Sequence, residues 1–505
     1  MKISPIVTII ALLSAGLEYS QVKAQTREQT QDQKQAPIQT QLNTQAQGPI
    51  QTKISPQALP QTQHQTAIEP QAQTTLMPEP LYPEKWAEVE RYIRDNWMNF
   101  VESNPRLPKP YSYALNPGTL YYYDLYFIND ALLKQGFIEQ ARNNLDCFIY
   151  VADSLSFIPN AYGWGESRSQ LPFFSMMVRD YYEKTGDKEW LKKAYPAVLK
   201  EYDFWTNRNG NQIEDHSTSI PGLQRFGQHA DTAELLEFYD RVLFYRFHVS
   251  RDVPDSTKLR IAAQRLAECE SMDFTPRYYG RCMDFIPVDL NANLYQYERN
   301  FAYFERELGI KGKVNWDKAA KKRAALMKKY LWSPLRGLML DYDYVHGKHT
   351  AITCITCFTA LMWHIIEGAQ AEEMKNNLLR ELEVKSGLTV CSESQEDIPY
   401  QFGRTAIWGS MQFQAMKGLI QAGFRTDAKR VALKYLNMVT KNYVDPYPDQ
   451  YIPHKTHTMV KRPYGCLWEK FTHDGDINDN EYYSSPILGF TAAPYILALE
   501  IIRSK

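Results

Sequence analysis

The chain has 505 residues, 44% hydrophobic and 13% aromatic, with 57 basic against 58 acidic side chains and a formal net charge of −1. That balance supplies no field for a nucleic acid or an anionic membrane surface and suits a neutral small-molecule substrate. The length admits two or three average domains, but large helical rings of this size run as one unit.

Residues 1–24 read as a secretory leader: Lys2 begins it, residues 6–16 are apolar, and Val22-Lys23-Ala24 offers a small-residue cleavage site. The apolar stretch is shorter than the roughly 18–20 residues that span a bilayer, so no membrane span is expected in the mature chain. Export to the periplasm or the outside follows as an expectation. Residues 25–80 are dominated by Gln, Thr, Ala and Pro, a composition that buries too little apolar area to offset its ordering entropy, and are expected to form a disordered spacer.

Residues 82–505 form the body. Apolar residues recur at helical spacing over 83–101, 128–135, 137–152, 170–185, 188–205, 232–249, 256–268, 290–308, 316–330, 352–367, 371–382, 408–422, 426–443 and 486–502, each bounded by Gly, Pro, Asn or Asp. Period-two patterns are scarce and short, and no fixed-period repeat marks a solenoid. The expected fold is all-α: helical hairpins closed into an (α/α)6 toroid.

The seven cysteines, Cys147, Cys269, Cys282, Cys354, Cys357, Cys391 and Cys466, follow no disulfide framework. Cys354 and Cys357 have the spacing of a metal or redox pair, but they fall in the apolar run 352–367 with no second Cys or His pair beside them, so they read as core. No metal cluster is apparent and no cofactor is expected; the sequence leaves the oligomeric state open. Aromatic residues gather in the connections (Tyr121, Tyr122 and Tyr123; Tyr162 and Trp164; Tyr278 and Tyr279; Trp408; Trp468; Tyr482 and Tyr483), where rings outside the core can stack on a sugar or pack beneath loops.

Hydrolysis of a glycosidic bond requires two carboxyls flanking it, one protonated and one ionised. Met272-Asp273-Phe274 sets an Asp between two apolar side chains after a helix, and Trp468-Glu469-Lys470-Phe471 does the same for a Glu far away in sequence. By spacing alone each also reads as a helix cap or a solvated charge.

Several segments resemble the trehalase family. Phe157-Ile158-Pro159-Asn160 with Ser167-Arg168-Ser169-Gln170 is similar to its sugar-lining segment, and Glu270-Ser271-Met272-Asp273-Phe274-Thr275-Pro276-Arg277 to the segment of its general acid. Trp468-Glu469-Lys470-Phe471 resembles the base segment, and Asn480-Glu481-Tyr482-Tyr483 with Gly489-Phe490-Thr491 the glycine-rich stretch and its Glu. Residues 117–127 and 401–412 resemble the two family signatures in altered form, with Tyr123 replacing a Trp and Gly403 an Asp.

The matches run in the family's order over about residues 115–495. The resemblance implies an inverting hydrolase of α,α-trehalose, with Asp273 as general acid and Glu469 as general base. It also implies a glucose site built from Tyr123, Asp124, Asn160, Arg168, Ser169, Gln170, Ser271 and Glu481. The alternative readings are a helix cap for Asp124 and a plain surface or ion-pair Arg for Arg168. Asp284, in a second Met-Asp-Phe triplet, lacks the following Thr-Pro-Arg and reads as a structural look-alike.

Two family arginines are missing: the first signature reads Gly118-Thr119-Leu120, and Asp231-Thr232-Ala233-Glu234 stands where the family has Arg-Pro-Glu. Losing two paired-donor groups bears on the leaving-sugar pocket more than on the chemistry. Another small α-glucoside as substrate, or a non-catalytic sugar-binding relative, are the alternative readings.

Overall fold

The computed structural model describes residues 76–505 except 115–116, 209–212, 394–399, 446–448, 452–458, 462, 479–481, 483 and 505. The expected leader, nearly all of the expected spacer, and Glu481 therefore lie outside the described residues. The last spacer residues are already docked: Asn437 donates to the Glu79 carbonyl at 2.8 Å and accepts from the Leu81 N–H at 2.7 Å.

Fourteen α-helices carry the described body: α1 (Trp86–Asn96), α2 (Tyr122–Gln135), α3 (Ile138–Leu155), α4 (Phe174–Thr185), α5 (Lys188–Thr206), α6 (Thr232–Glu237), α7 (Asp255–Glu268) and α8 (Val288–Leu308). They continue with α9 (Trp316–Tyr330), α10 (Phe358–Met362), α11 (Gly368–Leu382), α12 (Gly409–Gln421), α13 (Arg425–Val444) and α14 (Gly489–Arg503), leaving aside one further turn, Phe244–Phe247.

The inner helices close a cycle: α2 packs on α4, α4 on α8, α8 on α10, α10 on α12, α12 on α14, and α14 returns to α2. Helices α3, α5, α9, α11 and α13 alternate with them as the outer layer, and α1 packs on α13 and α14. The described residues thus form an (α/α)6 toroid.

Burial explains which helix takes which layer. In α2 every residue from Tyr122 to Leu133 is buried, as an inner helix with neighbours on all sides requires. Outer α11 buries only Ala371, Met374, Leu378, Leu379 and Leu382, one stripe at helical spacing. Chain punctuation sets the ends: Gly136 (φ +88°) and Gly309 (φ +67°) adopt the left-handed conformation that stops α2 and α8.

Three short ladders lead into inner helices. Leu120–Tyr121 pairs with Ala161–Tyr162 just before α2, and Phe285–Ile286 pairs with Tyr342–Asp343 just before α8. Ala406–Trp408 pairs with Lys470–Thr472 just before α12. The first turn of α2 carries Tyr123 and Asp124, and the strand paired with the one entering α12 follows directly on Glu469.

Three local expectations change. Helix α2 begins at Tyr122 rather than 128, so Tyr122 and Tyr123 are buried helix residues and not loop aromatics. The segment 232–249 is broken by a π-helical turn at Phe238–Leu243. It forms with α7 a separate small core of Leu235, Tyr239, Leu243, Ala262 and Leu266 that takes in Phe274. The run 352–367 is helical only from Ile355 to Met362: Cys354 is extended and forms a backbone β-bridge with Cys391, because residues 352–362 are buried throughout and their periodicity does not report a helix.

Candidate active site

Glu469 sits one residue before the strand that pairs with Ala406–Trp408. Its N–H donates to the Ser485 carbonyl at 3.2 Å, and the preceding carbonyl, of Trp468, accepts from the Thr491 hydroxyl at 2.5 Å, so the backbone on both sides is fixed. The carboxyl is buried; Oε1 accepts the Tyr482 hydroxyl at 2.9 Å, and Oε2 accepts no hydrogen bond from the described residues. The Lys470 ammonium lies 3.3 Å from the Tyr482 ring centroid and holds that ring. Burial pushes the Glu469 carboxyl above the ordinary range, while the Lys470 charge and the Tyr482 hydroxyl pull it back.

Asp273 lies in the loop after α7. Phe274, the next residue, has φ +55°, a left-handed conformation that a bulky side chain adopts only when its surroundings impose it. The surroundings are visible: Phe274 stacks on Phe238 with centroids 6.3 Å apart, packs on Phe247, carries the Arg246 guanidinium 4.1 Å above its ring, and accepts at its carbonyl from the Phe402 N–H. Asp273 is half-buried, and its Oδ1 accepts no hydrogen bond from the described residues.

Both flanks of this loop are anchored. Upstream, Glu270 accepts the N–H groups of Ser169 and Gly227, each at 2.8 Å. Downstream, the fully buried Arg277 reaches Asp289 with two hydrogen bonds of 2.8 Å, Asp341 with two of 2.5 and 2.8 Å, and the Ser271 hydroxyl at 3.0 Å. Paired bidentate contacts of this kind orient as well as attract.

Asp124, on the first turn of α2, connects the two carboxyls. Its pKa is pushed up to about 8 by burial first, then by the charge of Glu469 and that of Asp273. Three acids from distant parts of the chain therefore act on one another, and the shift favours the protonated form of Asp124.

The other expected residues surround this group in different ways. Gln170 accepts the Tyr123 N–H at 2.9 Å, and Asn160 donates to the Cys269 carbonyl at 3.0 Å, tying α2 and the acid loop to the segment 158–170. Arg168 is half-buried 5.9 Å from the Trp164 ring centroid, its Nε without a hydrogen bond from the described residues. Ser169 is fully buried and donates to the Ile158 carbonyl, Ser271 is engaged by Tyr278 and Arg277, and the Tyr123 hydroxyl accepts from Gln414. Asp284 pairs with Arg281 at 2.9 Å, away from the three acids.

Two contributors escaped the sequence reading. Arg246, beyond the π-helical turn, is packed over Phe274 within electrostatic reach of Tyr482 and Asp273. Tyr482 was legible only as one aromatic in a motif, although it holds the Glu469 carboxylate. Because its hydroxyl stabilises the ionised form, Tyr482→Phe is expected to raise the pKa of Glu469. The acid limb of a pH–rate profile then moves upward by about one pH unit or more; an unchanged limb would separate Tyr482 from the group that titrates.

The trehalase family model matches residues 12–455. The cytosolic neutral trehalase of Kluyveromyces lactis is 28% identical over 368 residues, covering 65% of this chain and 48% of the relative. The periplasmic trehalase of Pseudomonas aeruginosa is 28% identical over 397 residues, 72% of this chain and 70% of the relative. The chain thus spans about half the length of the fungal relatives it matches. Among solved structures, the neutral trehalase Nth1 from Saccharomyces cerevisiae superposes with a TM-score of 0.63 at 24% identity, over 82% of this chain and 80% of that one. A GH63 mannosylglycerate hydrolase from Thermus thermophilus gives 0.51 at 14% identity, over 83% and 99%. With the family match extending over most of its length, the chain belongs to the trehalase family.

Proposed function

We propose that this protein hydrolyses α,α-trehalose to glucose by a single displacement, with Asp273 as acid and Glu469 as base. The observation that carries this reading is the convergence of Asp124, Asp273 and Glu469: the latter two lie within electrostatic reach of the buried Asp124 carboxyl. Glu469 Oε2 takes a proton from a water molecule, the hydroxide oxygen bonds to the anomeric carbon, and the bond to the bridging oxygen breaks as Asp273 protonates that oxygen. A separation of roughly 6.5 to 9.5 Å between the two carboxyls leaves room for that water. In its protonated form Asp124 donates to a glucose hydroxyl. Arg168, Asn160, Gln170 and Glu481 are the other glucose-binding groups of this reading, with Tyr123, Ser169 and Ser271 behind them.

A second substrate, another small α-glucoside, is favoured by the loss of the two family arginines. Asp231 here caps α6, accepting the Glu234 N–H at 2.8 Å, and Glu234 accepts the Ser167 hydroxyl at 2.6 Å. The guanidinium beside the acid comes instead from Arg246, so the leaving-sugar pocket differs in construction. Residues 1–24 are proposed as an export leader and 25–80 as a spacer. A periplasmic relative supports export, although cytosolic relatives are equally similar. No described helix is long and apolar enough to cross a membrane.

The test is proton NMR of the anomeric signals in the first minutes of reaction with trehalose and other glucose disaccharides. The expected result is equal release of α- and β-glucose from trehalose, because one displacement inverts the attacked glucose and the other leaves unchanged. Release of α-glucose alone would show two displacements and overturn the assignment of Glu469 as base.

A further inference from the structure

Beneath the acid loop lies a second group of ionisable side chains that the hydrolytic reading does not use. Glu214, His216 and Glu270 have side chains 1%, 0% and 0% exposed, and one donor atom from each lies within 4.8 Å of the other two. Among the described residues neither carboxyl forms an ion pair with an Arg or Lys.

The hydrogen bonds fix the histidine tautomer. His216 Nδ1 is 3.0 Å from the Arg225 carbonyl oxygen; a carbonyl can only accept, so Nδ1 carries the hydrogen and Nε2 is left with its lone pair. Among the described residues Nε2 is buried with no hydrogen-bond partner and faces Glu214 Oε1 at 3.9 Å, to which no described donor is directed; the Glu214 carboxyl itself lies against that of Glu270. Two lone pairs facing each other in a dry interior repel unless something positive sits between them. The gap is too long for a hydrogen bond but matches two ligands about 2.0–2.2 Å from a shared ion. An imidazole that donates its other N–H to a backbone carbonyl is oriented as metal-binding histidines are.

The surroundings are built tightly around these atoms. Glu214 Oε2 is held by His229 Nδ1 at 3.0 Å, and Glu270 by the N–H groups of Ser169 and Gly227. A Cβ on Gly227 would stand 2.3 Å from Glu214 Oε1, so glycine is needed for the backbone to approach it. Trp205 and Phe204 cover the imidazole, with ring centroids 4.5 and 4.9 Å away.

We propose that Glu214, His216 and Glu270 bind one divalent first-row transition ion, Zn²⁺ or Mn²⁺, that ties the segment 214–229 to the loop carrying Asp273. One nitrogen and two carboxylate donors select such an ion over Ca²⁺ or Mg²⁺, which prefer oxygen alone. The ion is structural: it neutralises two buried carboxylates and fixes Glu270, three residues before the acid. This site does not depend on which sugar, if any, is cleaved.

The test is elemental analysis of the full chain purified without chelators, followed by unfolding in guanidinium with EDTA and refolding with and without Zn²⁺ or Mn²⁺. The expected result is about one transition ion per chain and a melting temperature higher by about 5 °C or more in the metal-refolded sample. His216→Gln is expected to bind none and to melt at one temperature under both conditions. If that variant fails to fold, the wild-type comparison stands by itself. A metal-free wild-type protein whose melting temperature ignores both ions would overturn the proposal and leave the carboxyls sharing a proton. Selective stabilisation by Ca²⁺ would overturn the choice of ion.

Discussion

Replacing Glu469 by Gln, or Asp273 by Asn, is expected to lower turnover by roughly 10²- to 10⁴-fold, the usual worth of a general base or acid. Both substitutions conserve shape. Gln at 469 still presents an oxygen to the Tyr482 hydroxyl, and its backbone bonds to Ser485 and the neighbouring Thr491 contact are untouched. Removing an ionisable group from a buried site also removes a desolvation cost, so the melting temperature should hold or rise. Asp284→Asn is the control: that carboxylate pairs with the part-exposed Arg281, and its loss should leave turnover within a factor of about two, as such pairs contribute little. Turnover measured beside thermal melting decides the matter. Activity lost in Asp284→Asn and retained in Asp273→Asn would mean that the other Met-Asp-Phe triplet carries the acid.

Arg277→Ala should cost about 3–5 kcal/mol of stability, because it leaves the Asp289 and Asp341 carboxylates buried beside each other with no cation between them. Arg277 joins the acid loop, the first turn of α8 and the hairpin after α9 through its contacts to Ser271, Asp289 and Asp341. Lysine in its place should recover only part of the loss, since one ammonium cannot make two bidentate contacts. Neutralising the carboxylates as well, with Asp289→Asn and Asp341→Asn on the Arg277→Ala background, should recover more than lysine does. Chemical denaturation of the four proteins measures this. A near-neutral Arg277→Ala would show that the loop is held by its Glu270 flank.

The ring of helices was legible because helical periodicity is a local property: the stripe of Ala371, Met374 and Leu378 can be read without knowing what it packs against. The same signal failed where burial is complete. Residues 352–362 have no exposed face to reveal their period, and the tyrosines that open α2 looked like loop residues because nothing nearby in sequence says that they are enclosed. Asp273 and Glu469 were singled out through the motifs around them, and Asp124 lies within electrostatic reach of both.

What those groups do to one another was decided by the tertiary structure alone. The raised pKa of Asp124 depends first on burial and then on two acidic neighbours, all of which reach it only after the ring closes. The aim of Asp273 depends on a left-handed Phe274 held by residues from the small core of α6 and α7. Arg246 sits in a segment without a distinguishing pattern, the motif around Tyr482 did not mark that residue, and Glu214, His216 and Glu270 are brought together only by the fold. Spacing along the chain reports neighbours within a few turns. Electrostatic and coordination environments are made by side chains converging from several elements, and only the folded chain determines which ones meet.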